Sequence, residues 1–181
     1  MEPNFYGSFE YNIDDKGRIS VPAQYRHALK HDSAQGSQIA VLTRGLDACI
    51  FGFPLEVWDD YTRRLPFMNL EPVAYLKFTR RLHRVTANCA IDGQGRMKIP
   101  HSLLEYAHLS REAIIIGIKN RFEIWNPEIY DAYDSDIATD DKFNEESAKL
   151  ELFINMEKHD QSRKPDPPED PISAVDATLL G

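Results

Sequence analysis

The sequence predicts an α+β fold made of two tandem β-β-α-β-β-α units, and three observations predict it. First, the stretch Ile13-Asp14-Asp15-Lys16-Gly17-Arg18-Ile19-Ser20-Val21-Pro22 returns without a gap as Ile91-Asp92-Gly93-Gln94-Gly95-Arg96-Met97-Lys98-Ile99-Pro100, at a constant offset of 78 residues. Internal repetition of this kind marks a repeated structural unit. Second, apolar and polar residues alternate through the segments flanking each copy, the period of a half-buried strand. Third, proline follows the strand pairs at Pro22, Pro54, Pro100 and Pro127, where it suits the start of a helix because its missing N–H costs nothing there.

Residues 5–13 place Phe5, Gly7, Phe9, Tyr11 and Ile13 on one face and Tyr6, Ser8, Glu10 and Asn12 on the other. Asp14 to Gly17 supplies hairpin chemistry, since Asp bonds its own downstream backbone and Gly accepts a positive φ. The return strand turns Ile19 and Val21 inward and sends Arg18 and Ser20 to the opposite face. Pro22 opens a helix of about two turns, and 31–37 reads as a polar loop. Strands at 39–43 and 48–53 flank a turn at Arg44-Gly45-Leu46-Asp47. Pro54 then opens a helix whose Leu55, Trp58, Tyr61 and Leu65 recur at helical spacing, with Pro66 ending it. A further helix over 72–85 carries Val73, Leu76, Phe78 and Leu82 on one side, and Lys77, Arg80, Arg81, His83 and Arg84 in its last two turns.

The second copy repeats this order. Its strands are 85–91 and 96–99, its helix 100–107, and its second hairpin 113–118 with 122–125 around Lys119-Asn120-Arg121, before Pro127 starts another helix. The organisation expected is therefore a first repeat at 5–71, a connecting helix and second repeat at 72–133, an acidic spacer with an amphipathic helix at 134–160, and a disordered tail at 161–181. Phe143, Leu150 and Phe153 give that helix its apolar face. The tail is rich in Pro and Asp, with little to bury.

Composition bounds the function. With 181 residues, 42% hydrophobic and 28% charged, the chain suits one substantial core or two small ones. No basic region followed by an apolar stretch suggests a secretory signal. The longest apolar run, 113–118, is far shorter than the roughly 20 residues a membrane helix needs. A cytoplasmic protein without a membrane partner is expected, with Cys49 and Cys89 as buried free thiols. The net charge of −8 looks hostile to nucleic acid until it is divided, because residues 131–181 hold 14 acidic and 5 basic residues. That leaves 15 acidic and 16 basic residues in 1–130, a near-neutral body able to carry a concentrated basic patch.

Enzyme signatures fail one by one. The six histidines form no HExxH or His/Cys cluster, and there is no Walker-type loop or G-x-S-x-G. Gly93-Gln94-Gly95 lacks the rest of a phosphate-binding glycine motif, and a strand, not a helix, should follow it. Neither a cofactor nor a metal nor a small-molecule substrate is expected. The duplicated Asp-x-x-x-Arg is the stronger signal. For Asp14 and Asp92 the structural role of capping the turn and pairing with the arginine is favoured. For Arg18 and Arg96 the balance reverses, because a simple turn accepts many residues where both copies keep arginine. A guanidinium fixed on a hairpin binds phosphate or pairs bidentately with guanine. Lys16 and Lys98 add candidate phosphate contacts, weakened by Gln94 and Ser20 at the matching positions. The basic segment 77–84 reads as a solvated helix face, and Arg44 and Lys119 as exposed turn charges.

The two D-x-x-G-R-[IM]-x-[VI]-P blocks, with Leu42-Thr43-Arg44-Gly45-Leu46-Asp47 and Phe122-Glu123-Ile124-Trp125, resemble the MraZ family of tandem-repeat bacterial transcriptional regulators, related to AbrB and SpoVT. The resemblance spans residues 5 to about 133. It implies a double-split, swapped-hairpin β-barrel formed by the two repeats, and assembly into a ring-shaped homo-oligomer. It further implies binding to repeated double-stranded promoter elements upstream of the division and cell-wall gene cluster, usually as a repressor, with a nucleoid-associated location. The family's DNA-binding motif maps onto Asp14, Arg18, Asp92 and Arg96. A second reading makes the barrel an interaction scaffold that recruits a protein partner through the terminal helix or acidic tail.

Overall fold

Both copies of the repeated stretch close the same turn, and what leaves each turn decides the architecture. The first arm is β1 (Ser8–Asn12) and the return arm is β2 (Arg18–Ser20); in the second copy they are β5 (Ala87–Ala90) and β6 (Arg96–Lys98). A computed structural model describes residues 4–29, 37–67, 71–135 and 147–148. The polar loop, the acidic spacer beyond 135, the amphipathic helix and the tail expected from the sequence lie outside them, residues 37 and 147–148 excepted. The described residues up to Asp134 form one compact unit.

The expected hairpins close at their turns but do not extend into ladders. The two arms meet only at the bridges Ile13–Ile19 and Ile91–Met97, and then part. The return arms β2 and β6 pair with each other, antiparallel, in a sheet of two strands. The first arms join a six-stranded antiparallel sheet with β3 (Ile39–Arg44), β4 (Ile50–Pro54), β7 (Glu112–Ile118) and β8 (Arg121–Trp125), in the order β1-β7-β8-β4-β3-β5. Each first arm lies on the other repeat's strand, β1 on β7 and β5 on β3. Backbone bonds make the exchange reciprocal: Val21 N–H donates to Gly95 O and Ile99 N–H to Gly17 O, both at 2.9 Å. The strand order is thus a palindrome of the two repeats, symmetric about the β4–β8 pair.

Residues from both repeats fill one core. Ile13, Ile19, Val21, Tyr25 and Leu29 are buried together with their 78-offset counterparts Ile91, Met97, Ile99, Leu103 and Ala107. Tyr25 sits edge-on to Phe5 and Phe9 at ring distances of 5.0 and 5.5 Å. Its hydroxyl donates to the carbonyls of Tyr6 and Gly7, which satisfies a polar group that burial would otherwise penalise. Cys49 and Cys89 are free and buried; burial pushes the Cys89 thiol up to about 11 and the Cys49 thiol higher still.

The helices are α1 (Ala23–Ala28), α2 (Leu55–Arg64), α3 (Pro72–Val85), α4 (His101–Tyr106) and α5 (Pro127–Ser135), with a 3-10 turn at Leu65–Phe67. Pro22, Pro54 and Pro100 stand one residue earlier than expected: each has an extended ψ and occupies the cap before its helix, while Pro72 and Pro127 begin theirs. Either place tolerates a missing N–H. The apolar side read on α3 is only partly used. Leu82 packs beside Val41, Phe53 and Trp58, but Val73 and Leu76 stay largely exposed and Phe78 partly so. Arg44 is a second correction, being half-buried with its guanidinium 4.5 Å from the ring centre of Tyr106 and its Nε buried without a partner among the described residues. Lys119 is exposed as expected, at the tip of the β7–β8 turn.

Candidate nucleic-acid interface

Each Asp-led turn is an anchor for one arginine. Asp14 Oδ1 accepts the N–H groups of Lys16 at 2.9 Å and Arg18 at 3.0 Å, while Gly17, at φ +73°, donates its N–H to Asp14 O at 2.8 Å. The second turn repeats this: Asp92 Oδ1 accepts from Gln94 at 3.0 Å and Arg96 at 2.9 Å, with Gly95 at φ +77°. Glycine is needed at both places because a side chain resists the left-handed region.

The other carboxylate oxygen fixes the guanidinium. Arg18 donates Nε at 2.7 Å and Nη2 at 2.6 Å to Asp14 Oδ2. Arg96 does the same to Asp92 Oδ2, at 3.0 and 2.9 Å. Among the described residues, Nη1 of neither arginine makes a hydrogen bond, so one edge of a five-donor fork is held and the other is available. The Arg18 side chain, then its backbone N–H, holds the Asp14 carboxyl at about 2. The backbone N–H of Arg96, then its side chain, lowers Asp92. Hydrogen bonding to Asp14 raises Arg18, and the charge of Asp92 acts in the same sense. The Asp14–Arg18 pair is therefore ionised at neutral pH, and the Asp14 and Asp92 carboxylates both lie within electrostatic reach of the Arg18 guanidinium.

The β2–β6 pairing brings the two sites onto one surface. Its register sets Arg18 opposite Lys98, Ile19 opposite Met97 and Ser20 opposite Arg96. Ile19 and Met97 are fully buried, so alternation puts Arg18, Lys98, Ser20 and Arg96 on the other face. Directly opposed side chains stand about 5 Å apart at their Cβ atoms. Lys98, weak as a single letter, thus becomes part of a three-cation face, while Lys16 is exposed at the turn tip.

A residue that the repeat pattern does not flag also reaches the site. Arg26 of α1 lays its guanidinium over Gly95, filling the space a Cβ would need, whereas Leu104 of α4, its 78-offset counterpart, lies over Gly17. Only cross-repeat packing reveals this, since Leu104 is not basic. The cationic residues 77, 80, 81, 83 and 84 on α3 are exposed. Among the described residues, no group of three or more His, Cys, Asp or Glu is placed to hold a metal ion, and no helix is long and apolar enough to cross a membrane.

Comparison with known proteins settles the kinship. The family described as “MraZ protein, putative antitoxin-like” matches residues 5–80 and 82–153. The chain belongs to the MraZ family. It is 37% identical over 134 residues to the “Transcriptional regulator MraZ” of Lactiplantibacillus plantarum, covering 74% of this chain and 90% of that protein. The protein of the same name from Roseiflexus castenholzii is 39% identical over 123 residues, 68% of this chain and 81% of the relative. That from Limosilactobacillus fermentum is 35% identical over 136 residues, covering 75% and 90%. The two matched MraZ segments each contain one Asp-anchored arginine turn.

Proposed function

We propose that this chain is a non-enzymatic transcriptional regulator that binds double-stranded promoter DNA sequence-specifically through the outer face of β2–β6. The observation that carries the reading is the joining of Arg18, Lys98 and Arg96 on one face of a two-stranded ribbon whose arginines are already fixed by Asp14 and Asp92. A two-stranded ribbon fits the major groove, which is about 12 Å wide. A guanidinium with a free edge suits guanine or phosphate, and prior fixing lowers the ordering cost of binding. Asp14 and Asp92 act as positioning residues, and Lys16 and Lys98 contact phosphate. That the relatives are named transcriptional regulators supports the regulatory part of this reading.

The repeats, 5–71 and 72–133, form a double-split, swapped-hairpin barrel in this reading, supported by the reciprocal pairing of β2 with β6 and of each first arm with the other repeat. The exposed Val73, Leu76 and Phe78 of α3 support self-association, in which a ring would array many ribbons against repeated elements and raise affinity through effective concentration. Repression of the division and cell-wall gene cluster, from a cytoplasmic and nucleoid-associated pool, completes the proposal.

The test is binding to the DNA upstream of the chain's own gene, by fluorescence anisotropy, for the wild type and for the double variant Arg18→Ala/Arg96→Ala. Removing two guanidiniums from base or phosphate should weaken binding on the order of 100-fold. Unchanged affinity and sequence preference in a folded double variant would overturn the site.

A further inference from the structure

The two arginine turns are flanked by equivalent grooves that carry different chemistry. The groove at the second turn, about 480 Å³, is formed by Arg26 and His27 of α1 with Asp92, Gly93 and Gly95. The groove at the first turn, about 770 Å³, is formed by Leu104 and Glu105 of α4 with Asp14, Asp15 and Gly17. The positions match at the 78-residue offset: Arg26 for Leu104, His27 for Glu105, Gly93 for Asp15. Each groove is a cross-repeat structure, one repeat giving the helix and the other the turn.

We infer that Arg26 is a further DNA-phosphate-binding residue, serving the second hairpin alone, so that the two hairpins of one chain hold DNA unequally. The inference rests on the ribbon being the DNA-binding surface. Arg26 lies against Gly95, the residue immediately before Arg96, and α1 is fixed in the core by the fully buried Tyr25. Among the described residues no carboxylate pairs with the Arg26 side chain. Among the described residues lining its groove the one carboxylate, Asp92, is already taken by Arg96. Beside it, a Cβ on Gly93 would meet nothing within 4 Å, which leaves that side of the turn open to a phosphate.

The first hairpin meets an incoming phosphate differently. Asp15 and Glu105 place two carboxylates in its groove, and the cations there, Lys16, Lys98 and Arg111, are exposed. Lys16 and Lys98 are flexible point charges, and the carboxylates oppose them. Arginine held in place gives a planar, bidentate grip on phosphate that lysine does not. The second hairpin thus presents two placed guanidiniums around Gly95, and the first presents one.

The experiment measures the affinity of the full chain for its own promoter DNA over a range of salt concentrations, for the wild type, Arg26→Leu, Arg26→Lys and the double variant Arg18→Ala/Arg96→Ala. Leucine copies the residue that the second repeat carries at this place. With one phosphate no longer neutralised, Arg26→Leu should lower the slope of log affinity against log salt by about 0.9 and weaken binding several-fold at low salt. Arg26→Lys should keep the slope. If Arg26→Leu keeps both slope and affinity, the inference is overturned. It is equally overturned if Arg26→Lys and Arg26→Leu weaken binding alike with the same fall in melting temperature, since Arg26 then only packs on Gly95. An unaffected double variant would instead remove the ribbon reading itself, which separates the two failures.

Discussion

Set side by side, the two halves of the molecule agree where a turn must be built and differ where it is used. Ile13, Asp14, Gly17, Arg18 and Pro22 have identical partners in Ile91, Asp92, Gly95, Arg96 and Pro100, and both turns make the same bonds. Beneath them the core accepts Ile19 against Met97 and Tyr25 against Leu103, all fully buried. Above them Lys16 faces Gln94, Ser20 faces Lys98 and Arg26 faces Leu104 in the alignment of the copies. Turn geometry admits few residues, a core admits any well-packed volume, and the outer positions are free to make the halves unequal.

The largest effects are expected in the core, where the halves carry different side chains at one structural position. Tyr25→Ala should cost about 3–5 kcal/mol, as deletion of a large buried ring does, and Leu103→Ala about 2–5 kcal/mol. Urea unfolding followed by circular dichroism measures both, and Tyr25→Ala costing less than Leu103→Ala would contradict the larger aromatic cluster. Tyr25→Phe should cost no more than about 1 kcal/mol. Both carbonyls it abandons keep another donor, Tyr6 O from Gln24 Nε2 and Gly7 O from Gly117 N–H.

A smaller effect separates the turns. Gly17→Ala and Gly95→Ala each force a side chain into the left-handed region, costing about 1–2 kcal/mol, so their unfolding midpoints should fall by similar amounts. Only at Gly95 must the new methyl displace a guanidinium; at Gly17 it meets Leu104 Cδ1 at 3.2 Å. DNA binding should therefore suffer more from Gly95→Ala than from Gly17→Ala when compared at matched stability. Equal losses would mean that Arg26 contributes nothing to binding.

How much of this was readable without the fold depended on distance along the chain. The Asp-x-x-x-Arg turns were legible because every bond in them spans four residues or fewer, and the helix over 72–85 because its spacing is local. Partner choice was not. Period-two alternation says which face Arg18 occupies but not that β2 pairs with β6, so the value of Lys98 stayed hidden until Arg18 stood opposite it. Arg44 read as an exposed turn charge because Tyr106, which covers it, lies in the other repeat. Val73, Leu76 and Phe78 formed a visible apolar stripe, yet periodicity cannot tell a face covered within the chain from one left bare.

The finest difference between the halves lies in how each carboxylate is held. Asp14 sits at about 2 against an ordinary 3.8, so its depressed value stabilises the folded chain fully above the ordinary value and is lost as pH falls from 3.8 towards about 2. Asp92 is lowered in the same sense. The leading cause differs, though: the Arg18 guanidinium at Asp14, the Arg96 backbone N–H at Asp92. Asparagine keeps an oxygen for the backbone N–H groups but loses the ion pair. Either substitution removes a lowered carboxylate and with it that group's share of the acid limb, so Asp14→Asn and Asp92→Asn should each flatten the stability curve, converging on the wild type near the bottom of the window. Urea midpoints from about pH 6 down to about pH 2, roughly one point per half unit, read this directly. An Asp14→Asn chain that loses stability with acid as steeply as the wild type would show that the carboxylate does not hold the Arg18 guanidinium, and that the first hairpin offers DNA an arginine no better fixed than an ordinary surface cation.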